Sequence, residues 1–425
     1  MDSTIKQLRE FLDRSHSMYH AVEQLRGMLE EDGYVRLSES SGWSLKPGGK
    51  YYLTRGGSTL MAFRVPCATP RGFMVSASHS DRPGFKLKEN GELEGKYTRL
   101  ATEVYGGALL ATWMDRPLSV AGRVMVQTPQ GVESRLVDLD QDLLLIPNVA
   151  IHMNRNANDG QAYKPTVDTL PLVGGPEAKG KLWSMIQQAA GGSVLGHDLY
   201  LYVRQPATVW GVEGEYLSGA ALDDLVCAWG CTQGFLASRE SEAIPVLCVF
   251  DSEEVGSSSV QGAGSTVLQD VLSRIAGSLS LDLPCMLRQS FVLSADNAHA
   301  LHPNHPEYAD AQNAPVLGGG VVIKFNTNLR YTTDGASAAI LRSLWKELPV
   351  QTYYNRADMM GGSTLGNISL GQVSVLSADV GIAQLAMHSC WETAAVADVI
   401  QLTQAMTAFY GHALTQEQDG VWGIL

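Results

Sequence analysis

Seven side chains in this sequence could together do metal chemistry: His79, Asp81, Asp223, Glu253, Glu254, Asp296 and His388. Imidazole nitrogen and carboxylate oxygen are donors that a divalent zinc ion accepts. Two such ions roughly 3.5–4 Å apart can share one bridging carboxylate. Two histidines and three carboxylates are enough to hold a pair. The dipeptide Glu253-Glu254 is the most informative, because two neighbouring carboxylates at the exit of an apolar strand repel once they lose water. A division of labour removes the conflict: one binds metal and the other takes a proton from water. In His79-x-Asp81, the second carboxylate can hold the far nitrogen of a ligating imidazole or support the site from behind.

These residues sit where elements end. The apolar run from Gly72 to Ala77 predicts a buried strand that leads straight into His79-Ser80-Asp81-Arg82-Pro83-Gly84, where Pro83 and Gly84 end regular structure. Val246–Phe250 leads into Asp251-Ser252-Glu253-Glu254, and Phe291–Leu293 leads into Ser294-Ala295-Asp296-Asn297. Asp223-Asp224 opens a helical stripe through Leu225, Val226 and Trp229. Ile382–Met387 reaches His388, followed by a helical pattern through Val396, Val399, Ile400, Met406 and Phe409. Ile5, Leu8, Leu12, Val22, Leu25 and Leu29 predict two amphipathic helices with a break near Ser15–Ser17. Strands alternating with helices predict an α/β sheet with its ligand site along the carboxyl edge. Residues 91–207 differ, with short β-rich pieces and a Gly/Pro/Asn-rich stretch from Asn154 to Gly180. They predict an inserted domain within a discontinuous parent of residues 1–90 and 208–425.

Composition bounds the partners. The 425 residues are 45% hydrophobic and 18% charged, ample for a core, and the formal net charge is −13. Such a chain repels phosphate backbones and anionic bilayers, so neither nucleic acid nor a membrane is expected as a partner. The first residues lack the apolar run of a signal peptide, and no stretch reaches the roughly 18 apolar residues of a membrane span. Six scattered cysteines fit free thiols in a reducing compartment, so a cytoplasmic location is expected. No Gly-x-Ser-x-Gly elbow supports a serine nucleophile. His299, His302 and His305 form a rival cluster, but Pro303 and Pro306 break any helix that could bring them together; they predict a polar loop beside Asp296.

An ordered series of motifs runs through the chain: Ser78-His79-Ser80-Asp81-Arg82-Pro83-Gly84-Phe85, Tyr105-Gly106-Gly107, Trp113-Met114-Asp115-Arg116, Ile151-His152-Met153-Asn154-Arg155, Asp251-Ser252-Glu253-Glu254-Val255-Gly256, Ser294-Ala295-Asp296-Asn297-Ala298-His299 and Met387-His388-Ser389. The series resembles the aspartyl aminopeptidase family of dinuclear zinc metallopeptidases over nearly the whole length. The resemblance implies an α/β, mixed-sheet zinc peptidase domain with an inserted β-rich dimerisation domain. It implies two divalent ions per subunit, Zn2+ in the family, peptide substrates, and a homo-oligomer built from dimers into a dodecamer.

Position by position, the resemblance gives His79 and Asp296 to one zinc, Glu254 and His388 to the other, and Asp223 as the bridge. Glu253 is then the general base and Asp81 the support of His79. His152 matches a histidine that reaches a neighbouring subunit's site, and Lys324 and Tyr331 match positions facing the substrate side chain. The expected reaction is removal of N-terminal residues, acidic ones preferred. Three positions depart from the family pattern: Arg82 stands where a small polar residue is common, Ala221 where Arg is, and Asp224 where Asn is. They bear on pocket charge more than on peptidase chemistry. An aminopeptidase preferring neutral residues, and a dinuclear-zinc amidohydrolase or deacylase, are the alternative enzymes. The deacylase needs an arginine clamp for a substrate carboxylate, and none can be placed. A non-catalytic scaffold would gain nothing from Glu253 beside Glu254.

Overall fold

The computed structural model describes residues 3–359 and 361–425. The two N-terminal helices form as the periodicity predicts, at Ser3–Leu12 and Met18–Glu31, and Ser17 caps the second by accepting the backbone N–H of His20. Gly72–His79, Ala243–Phe250 and Phe291–Ala295 are strands buried at every position, which is why they read as unbroken apolar runs rather than alternating ones.

These strands lie at the centre of a nine-stranded sheet. Its order is Val35–Arg36, Lys50–Arg55, Thr59–Arg64, Ala243–Phe250, Gly72–His79, Phe291–Ala295, Leu376–Gly381, Val321–Phe325, Val350–Tyr354. From Ala243–Phe250 to Leu376–Gly381 the neighbours are parallel, while Thr59–Arg64 and Val321–Phe325 pair antiparallel with this block, so the sheet is mixed. Register sets Phe250 opposite His79, Ser294 opposite Ala77 and Ala295 opposite Val380. The carboxyl ends of these strands are therefore level, and the polar residues after them share one edge.

Helices cover both faces. Leu222–Ala237 and Val396–Tyr410 bury Trp229, Leu402 and Met406 with Leu247 and Leu293 on one side. Val267–Ser278 buries Leu268 and Leu272 against Phe73, Val75 and Val246 on the other.

A six-stranded antiparallel sheet takes its strands from Gly84 to Val203 and packs on the helix Lys181–Ala190. Its first strand, Gly84–Leu93, follows the His79 motif almost at once, so this unit begins earlier in the chain than the composition change near residue 91 suggested. A five-stranded sheet, ordered Thr208–Trp210, Tyr216–Gly219, Glu392–Ala395, Ala383–Leu385, Ala298–His299, lies beside the edge where the polar residues gather. It pairs the segments that lead into Asp223, flank His388 and follow Asp296.

Candidate active site

His79 closes its strand with 1% of its side chain exposed. Its Nδ1 lies 3.1 Å from the Asp81 carbonyl and 3.4 Å from Asp81 Oδ1, which leaves Nε2 to face Asp223 Oδ1 at 3.8 Å. His388 repeats the arrangement from the opposite side. Its Nδ1 donates to the Gly107 carbonyl at 3.1 Å, and its Nε2 faces Asp223 Oδ2 at 3.7 Å and Glu254 Oε2 at 3.4 Å. Each imidazole is thus oriented by a carbonyl on one nitrogen and presents the other to carboxylates, the geometry of a metal-ligating histidine. Asp223 turns one oxygen to each.

Although Asp223 and Asp224 fall at the start of Leu222–Ala237, neither has helical dihedrals, so the regular helix begins after them. Glu253 and Glu254 lie in the short turn after Phe250, entered through Ser252 in the left-handed region at φ 64°. Asp81 holds that turn: its Oδ1 accepts the Glu253 N–H at 3.1 Å and its Oδ2 the Glu254 N–H at 3.2 Å. Asp81 therefore supports the two glutamates as well as His79. Burial works to raise its pKa, but hydrogen bonding and charge from His79, with the Tyr105 hydroxyl, outweigh that and hold it below the ordinary carboxylate range.

Asp223, Glu253 and Glu254 move the opposite way. Burial, reinforced by Asp296 against the pull of His79, lifts Asp223 to about 6. Burial lifts Glu253 to about 8, with His79 opposing and Asp296, Asp81 and Asp223 adding to the rise. Glu254 is driven well up by burial and by Asp223. Buried Asp223 Oδ1 and Glu254 Oε1 have no hydrogen-bond partner among the described residues. Ligand atoms of His79, Glu253 and Glu254 lie within 4.8 Å of one another, as do those of Asp223, Glu254 and His388. Crowded carboxylates, orphaned oxygens and two oriented imidazoles fit divalent cations.

Asp296 joins the same edge, 8% exposed, and Lys324 lies behind it. Lys324 is 1% exposed and donates to the Asp296 carbonyl at 2.8 Å, the Asn297 carbonyl at 3.0 Å and Asp296 Oδ1 at 3.3 Å. The Tyr331 ring sits 4.9 Å from its ammonium. Both residues therefore back the site rather than open into free space. His152 lies apart, exposed on a turn between the exposed Ile151 and Met153. His299, His302 and His305 line a cavity of about 350 Å³ with Tyr308, Tyr353 and Arg356; its wall reaches Met387, next to His388.

Arg82 and Ala221, two of the departures, line one small cavity together with Asp223 and Glu392. Arg82 donates to the carbonyls of Ser15 and His16, tying the break between the N-terminal helices to the His79 strand end. Asp224 is fully buried and accepts the His79 N–H at 3.1 Å.

Residue-by-residue sequence reasoning gave no role to Tyr105-Gly106-Gly107, which come from the six-stranded sheet. Tyr105 donates to Asp81 at 2.7 Å, and a Cβ on Gly106 (φ 67°) would stand 3.1 Å from Glu254 Cβ. Nor did it single out Glu392, which accepts the backbone N–H groups of Asp223 at 2.9 Å and His388 at 2.7 Å. A glutamate four residues after His388 at the start of a strand was the available signal.

Comparison with known proteins decides the family. Residues 11–410 match the family described as aminopeptidase I zinc metalloprotease (M18). The chain belongs to the M18 family of metallo-aminopeptidases. It is 38% identical over 422 residues to a probable M18 family aminopeptidase 2 of Clostridium novyi (strain NT), covering 95% of this chain and 98% of that one. It is likewise 38% identical over 417 residues to a probable M18 family aminopeptidase 2 of Pseudomonas savastanoi pv. phaseolicola, covering 95% and 97%. Among solved structures, the Ape4 and Nbr1 complex aligns with a TM-score of 0.93 at 31% identity, covering 96% of this chain and 85% of that chain. The S. cerevisiae mApe1 dodecamer aligns with a TM-score of 0.85 at 26% identity, covering 96% of each. This aminopeptidase is thus a peptide hydrolase of a zinc-dependent family with a mixed α/β fold. No helix among the described residues is long and apolar enough to cross a membrane.

Proposed function

We propose that this aminopeptidase works with two divalent ions, zinc in the first instance, held by His79 and Asp296 on one side, Glu254 and His388 on the other, and Asp223 between. The observation that carries the proposal is Asp223, whose two oxygens face the two histidines at 3.8 and 3.7 Å. When bound, the ions would acidify a water and polarise the scissile carbonyl. Glu253 is the general base: its carboxylate lies in the turn beside Glu254 with an oxygen within 4.8 Å of the His79 and Glu254 ligand atoms, placed to accept a proton from water and return it to the leaving amine. Asp81 and Tyr105 fix the turn that carries it.

The substrates are peptides, with acidic N-terminal residues preferred. The cavity with His299, His302, His305 and Arg356 offers donors for a side-chain carboxylate, and Lys324 adds its charge from behind Asp296. A preference for neutral residues is the second reading, favoured by the three acceptors that already occupy the Lys324 ammonium. Hydrolysis of N-terminally free and N-acetylated Asp, Glu and Leu peptides, with and without chelator, tests all of this. Cleavage of the acetylated series would remove the aminopeptidase mode of action, and faster cleavage of Leu than of Asp and Glu would select the second reading.

The unit around residues 91–207 is proposed as a dimerisation module, and the assembly as a homo-oligomer rising to a dodecamer, as in the mApe1 structure. The exposed Ile151-His152-Met153 turn is suited to reach a neighbouring subunit's site. A cytoplasmic location agrees with the unpaired state of Cys67, Cys227, Cys231, Cys248, Cys285 and Cys390.

A further inference from the structure

Glu392 opens the strand Glu392–Ala395 with 1% of the residue exposed. On one side this strand pairs with Tyr216–Gly219, and Glu392 stands opposite Gly219. On the other it pairs with Ala383–Leu385, the last match being Leu385 with Thr393. Both partners end their pairing there. The chain then passes through left-handed residues, Ala221 at φ 57° before Asp223 and Ala386 at φ 56° before His388, itself at φ 68°. Strand pairing therefore does not hold either ligand segment at the point where its side chain must be placed. Glu392 Oε2 accepts the Asp223 N–H at 2.9 Å and Oε1 accepts the His388 N–H at 2.7 Å.

We infer that Glu392 is a positioning residue that sets the spacing of Asp223 and His388 and so the affinity of the metal site; the inference rests on those two residues being ligands. A carboxylate suits the task because it offers acceptors in two directions and no donor, whereas a neutral amide would set an N–H against one of the two backbone N–H groups. Its burial beside Asp223 is eased by Arg82, whose positive charge borders the same cavity and is held there by the Ser15 and His16 carbonyls. The N-terminal helices thereby take part in organising the site without touching it.

The test is a cobalt(II) titration of the metal-stripped full chain, read by visible absorption and equilibrium dialysis. It compares wild type with Glu392→Gln, Glu392→Asp and Thr393→Val. The aspartate reaches only one of the two N–H groups. The Thr393 variant, next to Glu392 in its strand, removes a side-chain hydrogen bond at 2.7 Å to Ser218 of the neighbouring strand and leaves the clamp in place. Both Glu392 variants are expected to bind at least one ion 10- to 100-fold more weakly, with an altered cobalt spectrum, while Thr393→Val binds as wild type does. Wild-type affinity and spectrum in the folded Glu392 variants would overturn the proposal. So would equal weakening in Thr393→Val, which would reduce the effect to general damage of the strand. Wild-type protein that takes up no cobalt would instead overturn the ligand assignment beneath it.

Discussion

Tyr105, from the six-stranded sheet, donates its hydroxyl at 2.7 Å to Asp81, the carboxylate that holds the turn carrying Glu253 and Glu254. This hydrogen bond joins the six-stranded sheet to the turn that follows Ala243–Phe250 of the nine-stranded sheet. Tyr105→Phe keeps the ring and its edge contact with Tyr200 but leaves Asp81 Oδ2 with one donor fewer. The expected result is a fall in kcat of about 10-fold, the scale seen when groups that orient a metal site are removed. Steady-state kinetics at saturating metal checks it, and an unchanged kcat would show that the turn does not depend on this bond.

Glu253→Gln separates the proposed base from the proposed ligands. The amide keeps the size of the side chain but cannot accept a proton, so metal content stays at the wild-type level while kcat falls by about 10²–10⁴. Metal analysis of the purified variant together with its turnover number checks both halves. Near wild-type turnover would mean that another group takes the proton.

Metal uptake carries a pH dependence of definite sign. Asp223 is lifted to about 6 and Glu254 well above its ordinary value, chiefly by burial, so in the metal-free protein these proposed ligands hold protons at pH values where free carboxylates do not. An ion displaces those protons, and low pH therefore opposes binding. Apparent zinc affinity is expected to rise about tenfold per pH unit for each proton an ion displaces, with Asp223 contributing below about pH 6, and to level off above the ligand pKa values. Competition titrations at stepped pH read the slope directly; a flat profile would rule out protonated ligands in the free site.

Much of this was legible in the chain because the strands are continuous apolar runs with charged exits, and the parallel register then levels His79, Asp251 and Asp296 by itself. The grouping of Asp223 and His388 with them was not legible from periodicity. It depends on the five-stranded sheet, whose strands are two to four residues long and set by pairing rather than by pattern. Lys324 shows the limit for side chains. As a strand lysine it reads as solvent-exposed, yet carbonyl and carboxylate acceptors from residues 296 and 297 make its burial tolerable. Its neighbours come from another strand, beyond the reach of any local signal.

Arg82→Ser tests whether the departure at the His79 strand end is structural. The partly buried guanidinium donates to the Ser15 and His16 carbonyls where the two N-terminal helices meet, and burial pulls its pKa down to about 10, so it remains charged at neutral pH. Serine at this position cannot span to those carbonyls, which then lose charged donors. A charge-assisted hydrogen bond contributes about 1.5–3 kcal/mol, so a destabilisation of about 2–3 kcal/mol is expected from the pair after water replaces part of it. Urea unfolding checks the midpoint. Because His16 also meets Asp138 at 2.6 Å and stacks on Tyr202, the helices should stay docked, and the variant should lose stability without dissociating them. Protease sensitivity confined to the 13–17 link would show the tie has opened locally, whereas wild-type stability and resistance would show that Arg82 holds nothing there.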